Sequence, residues 1–197
     1  PVVIALPEDV LIDLADVADA EPYQVTEQHP APAQMADLAK RLAAAKSPIA
    51  ILGGSRWSPE AIADFQAFAE SFDLPVAVSF RRQMLFPADH ANFAGDLGIG
   101  PNPKLLARIK ESDLVLLVGG RLSEMPSQSY TLFGIPNPGR PLVHVHADPE
   151  ELGRVYRPTL AINASPVGFC AALATIEPQK APAWKGAGAA AHEAYIA

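Results

Sequence analysis

The sequence has 197 residues, 49% of them hydrophobic, and its 15 basic and 22 acidic side chains give a formal net charge of −7. That is enough for one ordinary domain with a sizeable core and trailing segments, whereas an acidic balance with no basic block gives no electrostatic support to a nucleic-acid or anionic-membrane role. A single cysteine, Cys170, excludes an internal disulfide and suits a reducing, cytoplasmic compartment, and no apolar run approaches the roughly 18 residues of a membrane span.

In chain order, Pro1–Leu6 has the β-branched content of a buried strand, but prolines bound it and no crossover helix precedes it. It reads as a strand of a neighbouring domain, and the chain as a piece of something longer. Residues 8–32 are acidic and weakly periodic, a linker in which Val10, Leu11 and Leu14 can form a helical turn. From Ala33 the spacing of Met35, Leu38, Ala39 and Leu42 predicts a helix, with Asp37 placed to pair with Lys40 or Arg41.

The first core strand, Pro48–Leu52, runs into Gly53-Gly54-Ser55-Arg56. Ser58-Pro59 opens a helix whose buried face is Ile62, Phe65, Ala69 and Phe72. Leu74–Val78 is a second strand, and Ser79–Gly100 an irregular segment carrying Arg81, Arg82 and His90, long enough to suggest function. Asn102-Pro103 opens a helix with Leu105, Leu106 and Ile109 inward, and Ser112–Val118 is a third strand that exits through Gly119-Gly120-Arg121. Leu142–His146 ends at Asp148-Pro149, and Leu160–Asn163 at Ser165-Pro166. Strands interleaved with four Ser/Asn/Asp-Pro helix starts argue for right-handed βαβ units, hence a Rossmann-like α/β domain: an open parallel sheet of about six strands with helices on both faces. From Glu177 onward proline, alanine and glycine dominate, and this tail reads as a connector anchored by Trp184 and Tyr195 at most.

Ligands of open α/β sheets bind at the carboxyl ends of the strands. The candidate site is therefore Gly53, Gly54, Ser55 and Arg56 with Gly119, Gly120 and Arg121: glycines admit phosphates to backbone amides and the arginines supply charge. The competing reading is that the glycines serve only to turn the chain, and the GxGxxG fingerprint is absent after both strands. His146 suits an adenosine-ribose contact, and Asp148 joins the site while serving as a helix cap. His144, His146 and Asp148 alternate along a strand, but two histidines do not complete a metal site. Gly95-Asp96-Leu97-Gly98 lacks the downstream asparagine of a Mg²⁺–diphosphate motif, and no histidine–acid pair can be assigned to Ser123, Ser127 or Ser129. Cys170, among Phe169, Ala171 and Ala172, reads as a buried helix residue.

The order and spacing of Pro7-Glu8-Asp9-Val10, Pro48–Gly54, Leu74-Pro75-Val76, Ala94–Gly100, Ser112–Arg121 and Val143–Pro149 resemble the central domain of thiamine-diphosphate enzymes of the acetolactate synthase type. The resemblance implies residues 1–10 as the end of a pyrimidine-binding domain, 11–32 as a linker, 33–176 as the central domain, and 177–197 as a linker toward a diphosphate-binding domain. Thiamine diphosphate, Mg²⁺ and the catalytic glutamate would then lie on other domains, with the intact enzyme a homo-oligomer acting on 2-oxo acids by decarboxylation or carboligation and the fragment alone silent. Central domains of this family bind FAD, ADP or nothing. Here the flavin pattern is broken at Gly98-Ile99-Gly100-Pro101, at Arg121-Leu122-Ser123-Glu124-Met125, at His146 and at Ala164-Ser165, which argues against FAD and leaves ADP, a simple anion or no ligand for the crevice. The alternatives are a free-standing nicotinamide- or flavin-dependent oxidoreductase, which needs a complete cofactor fingerprint, and a pure assembly domain with a vestigial crevice.

Overall fold

The computed structural model describes residues 3–178 and 182–197. Six strands form one sheet: β1 (Pro48–Leu52), β2 (Val76–Ser79), β3 (Phe93–Leu97), β4 (Leu114–Val118), β5 (Leu142–His146) and β6 (Leu160–Asn163). All are parallel, in the order β3-β2-β1-β4-β5-β6. The chain thus reverses its direction of travel between β1 and β4, where Leu52 lies opposite Val118. That is the topological switch point of a doubly wound sheet, and the crevice above it is where the fold leaves room for a ligand.

Both faces of the sheet are covered, so β1 and β4 are buried at every position and need no polar alternation. On one face α1 (Pro32–Ala44), α2 (Pro59–Phe72) and α4 (Pro166–Leu173) pack Met35, Leu38, Phe65, Phe68 and Phe169 against Leu52, Leu116 and Val145. On the other, α3 (Pro103–Glu111) and α5 (Ala187–Ile196), together with the 122–133 loop, pack Leu105, Ile109, Ala191, Leu122 and Phe133 against Ile51 and Leu117.

Three of the four expected starts open α-helices: the side-chain oxygens of Ser58, Asn102 and Ser165 accept from the amides of Ala61, Lys104 and Gly168. Asp148 also caps, accepting from the Glu150 amide, but opens only the 3-10 turn Pro149–Glu151, with Gly153 two residues on at φ +91°. Asp37 pairs with Arg41 at 3.1 Å.

Three segments differ from the sequence-based expectation. Residues 3–9 form no strand and Val3, Ile4 and Leu6 are exposed, while Pro1 and Val2 lie outside the described residues; Val10–Ile12 does make the short turn. The segment expected to be irregular contains β3, whose Gly95 and Asp96 hide its strand character. Gly95 is needed there: at φ +119°, a Cβ would meet Leu105 and the Tyr195 ring at 3.3 and 3.4 Å. Finally, α5 forms in the expected connector and docks on β3 and α3. Trp184 Nε1 donates to the Phe72 carbonyl at 2.7 Å, Asn102 donates to the Ala194 carbonyl at 3.2 Å, and Phe93 meets Tyr195 edge to face at 4.8 Å.

Candidate functional site

At the carboxyl edge the β1 and β4 exits are in contact. The Gly53 amide donates to Val118 O at 3.0 Å, and Trp57 Nε1 donates to Gly53 O at 2.8 Å, fixing the turn. A Cβ on Gly54, at φ +70°, would fall 1.7 Å from the Gly119 carbonyl, and one on Gly53 would fall 3.0 Å from Gly120 Cα. The glycine pairs are therefore required for the two turns to cross backbone on backbone, whatever else they admit.

Above this crossing lies an open cavity of about 610 Å³ lined by Gly54, Ser55, Arg56, Gly119, Arg121, His146 and Asp148, seven of the nine residues expected from the sequence. Gly53 and Gly120 are buried behind it. Arg82, Ala147, Glu151 and Pro166 complete the lining, and no sequence spacing pointed to them. Arg82 arrives from the β2–β3 connection, where its Nε donates to the Gly54 carbonyl.

The cavity holds three arginines, but none stands alone. Arg56 pairs with Glu27 at 3.2 Å and Arg121 with Glu151 at 3.5 Å, and Glu151 also takes Arg154 at 3.0 Å. Glu151 is 11% exposed, whereas Arg121 is 62% exposed and so free to exchange its partner for a ligand. His146 receives the Asp148 amide on Nδ1 at 3.1 Å. His144 donates from Nε2 to the Gly120 carbonyl at 3.0 Å, and burial pulls its pKa down to about 4, so it is a neutral structural strut. Its ring is 5.9 Å from that of His146. Among the described residues no group of three or more His, Cys, Asp or Glu is placed to hold a metal.

Of the positions where the flavin pattern is broken, Arg121 and His146 line the crevice, 164–165 are taken up by packing, and 99–100 are exposed. Ser165 is fully buried with its amide donating to Gln28 O at 3.0 Å, Ala164 is fully buried, and Gly100 lines a separate cavity beside α3. Ser127 is buried and donates to the Ser123 carbonyl at 2.7 Å. Cys170 is buried and its thiol pKa is pushed up by desolvation.

Residues 35–173 match the family model described as thiamine pyrophosphate enzyme, central domain. The chain belongs to that family. Sulfoacetaldehyde acetyltransferase of Rhodobacter capsulatus is 31% identical over 83% of the chain and 28% of the relative's length. Glyoxylate carboligase of Escherichia coli O157:H7 is 30% identical over 82% of the chain and 27% of its own length. The chain thus spans somewhat over a quarter of these relatives. Benzoylformate decarboxylase from Polynucleobacter necessarius, 24% identical, superposes with a TM-score of 0.61 over 88% of the chain and 32% of that structure, a likeness of fold. In this central domain, residues 35–173 include all six strands and the cavity lining.

Proposed function

We propose that the chain is the central structural and nucleotide-binding domain of a thiamine-diphosphate-dependent enzyme that decarboxylates or ligates 2-oxo acids. The match over residues 35–173 supports this over a free-standing nicotinamide- or flavin-dependent oxidoreductase. Thiamine diphosphate, which supplies the carbanion chemistry, and Mg²⁺ are held by other domains of that enzyme, a cytoplasmic homo-oligomer. This chain contributes orientation, and alone it neither binds thiamine diphosphate nor turns over substrate.

Its crevice takes an adenine nucleotide or a simple anion, ADP rather than FAD. The observation that carries this reading is the convergence of Arg56, Arg82 and Arg121 on one cavity at the switch point, within the volume range of small-molecule sites. Arg56 and Arg121 supply charge, Gly54 and Gly119 present backbone, and His146 faces the ribose beside the capping residue Asp148. Binding is weak because Arg56 and Arg121 already have carboxylate partners. That pairing also favours the assembly-domain reading, in which the crevice is vestigial, and one titration separates the two. Calorimetry with ADP gives measurable binding that weakens when both Arg56 and Arg121 are replaced by alanine. Affinity indifferent to both arginines, or purified protein carrying stoichiometric yellow flavin, overturns the nucleotide reading.

A further inference from the structure

Arg56 does not simply front the crevice. Its backbone stands at φ +65°, a left-handed conformation that non-glycine residues adopt rarely, and its side chain reaches residues 26–28. Nη2 donates to the Thr26 carbonyl at 3.1 Å and to the Glu27 carboxylate at 3.2 Å, and Nη1 to Gln28 Oε1 at 3.5 Å. The same stretch rests on the start of α4. The Ser165 amide and hydroxyl donate to the Gln28 carbonyl at 3.0 and 3.4 Å. A Cβ at Gly168 would fall 2.2 Å from that carbonyl, so only glycine lets the segment lie there. The Ser165 hydroxyl and the Arg56 guanidinium hold the Glu27 carboxyl below its usual range. A carboxylate of the chain itself is thus parked on one of the cavity's three cations.

We propose that Thr26–Gln28 is a latch on the crevice: Glu27 is a built-in competitor for the anion site, and an anion bound at Arg56 loosens the strap that leads to residues 3–25. This rests on the crevice accepting an anion. The guanidinium is a planar fork whose donors already engage three strap atoms, so turning it toward a diphosphate in the cavity withdraws it from all three. The Ser165 contacts remain, so the strap loosens and does not detach. Linkage makes the effect reciprocal: the anion binds more weakly by whatever the strap contact is worth. Both partners are about one third exposed, and for such a pair the competition amounts to about a two- to fivefold change in affinity.

The test is limited proteolysis within residues 23–29, with calorimetry of ADP and of inorganic pyrophosphate, on the wild-type chain, Glu27→Gln and Arg56→Ala. The expected result is tighter binding of both probes by Glu27→Gln, by about two- to fivefold, and faster cleavage at 23–29 in wild type when either probe is present. Arg56→Ala should show that faster cleavage with no ligand at all. Equal affinity in wild type and Glu27→Gln, or cleavage at 23–29 that ignores the probes, sinks the latch while the nucleotide reading stands. Unchanged cleavage in Arg56→Ala sinks the latch independently of any ligand. Absence of binding at millimolar probe in wild type and Glu27→Gln overturns both the latch and the nucleotide reading.

Discussion

Two of the joints between distant parts of this chain are made by opposite means. At the switch point, Gly53-Gly54 and Gly119-Gly120 bring backbone against backbone with no side chain between them. At the carboxyl-terminal dock, Trp184, 4% exposed, plugs against α2, Asp73 accepts from the amides of Gly186 and Gly188, and Tyr195 lies on Phe93 and over Gly95. The first joint tolerates one residue type because the space is fixed by covalent geometry. The second is a set of separable side-chain contacts, each of which can be removed in part. The difference teaches where the domain is brittle and where it is graded.

The sharpest way to break the comparison is Gly54→Ala. Its Cβ would meet a backbone carbonyl that no rotamer change can move, at a positive φ, so a loss of about 4 kcal/mol is expected. Chemical denaturation checks it, and a loss under about 1 kcal/mol would mean that the two exits are free to separate. Trp184→Ala should cost about 3–4 kcal/mol through lost burial and the unpaired Phe72 carbonyl. Far-UV circular dichroism should show α5 lost while the sheet persists; a variant that unfolds in one step with the sheet would instead make the tail part of the central cooperative unit.

Acid probes the crossing itself, since His144 is hydrogen-bonded to Gly120. Its folded pKa, about 4, lies below the ordinary value near 6.5, so the unfolded chain binds the proton more readily. The stability this neutral histidine carries is intact above about pH 6.5 and declines as pH falls toward 4, by about 2–3 kcal/mol in all. Urea midpoints at pH 7 and 4.5 should converge more in His144→Asn than in wild type; an equal acid slope in both would discard this assignment. The smallest effect is expected for Asp73→Asn, which keeps the left-handed residue preference and one acceptor but weakens the α5 cap, at about 1 kcal/mol. Exchange should rise in the first turn of α5 and nowhere in β1 or β4, and a rise at β1 would show that the two joints are coupled.

The sequence alone determined the doubly wound core, because its signals are local. A continuous apolar run such as Leu114–Val118 must be covered on both sides, and a Ser-Pro or Asn-Pro pair satisfies free helix amides within its own turn. The glycine pairs marked the exits of β1 and β4 as a candidate crevice for the same reason, and seven residues read from those exits and from the end of β5 do line one cavity; that the crevice lies at the switch point came from the strand order. Only the tertiary structure decided the rest. β3 is a strand because β2 on one side and α5 on the other satisfy and cover Phe-Ala-Gly-Asp-Leu, a sequence with little strand propensity at its centre. The helix at Ala187–Ile196 likewise exists where Asp73 and Phe72 receive it, since an alanine-rich stretch of ten residues is too short to be stable on its own. Arg82 and Glu151 enter the cavity, and Glu27 reaches Arg56 across 29 positions of sequence, because ion pairs form through space once the sheet has brought its loops together.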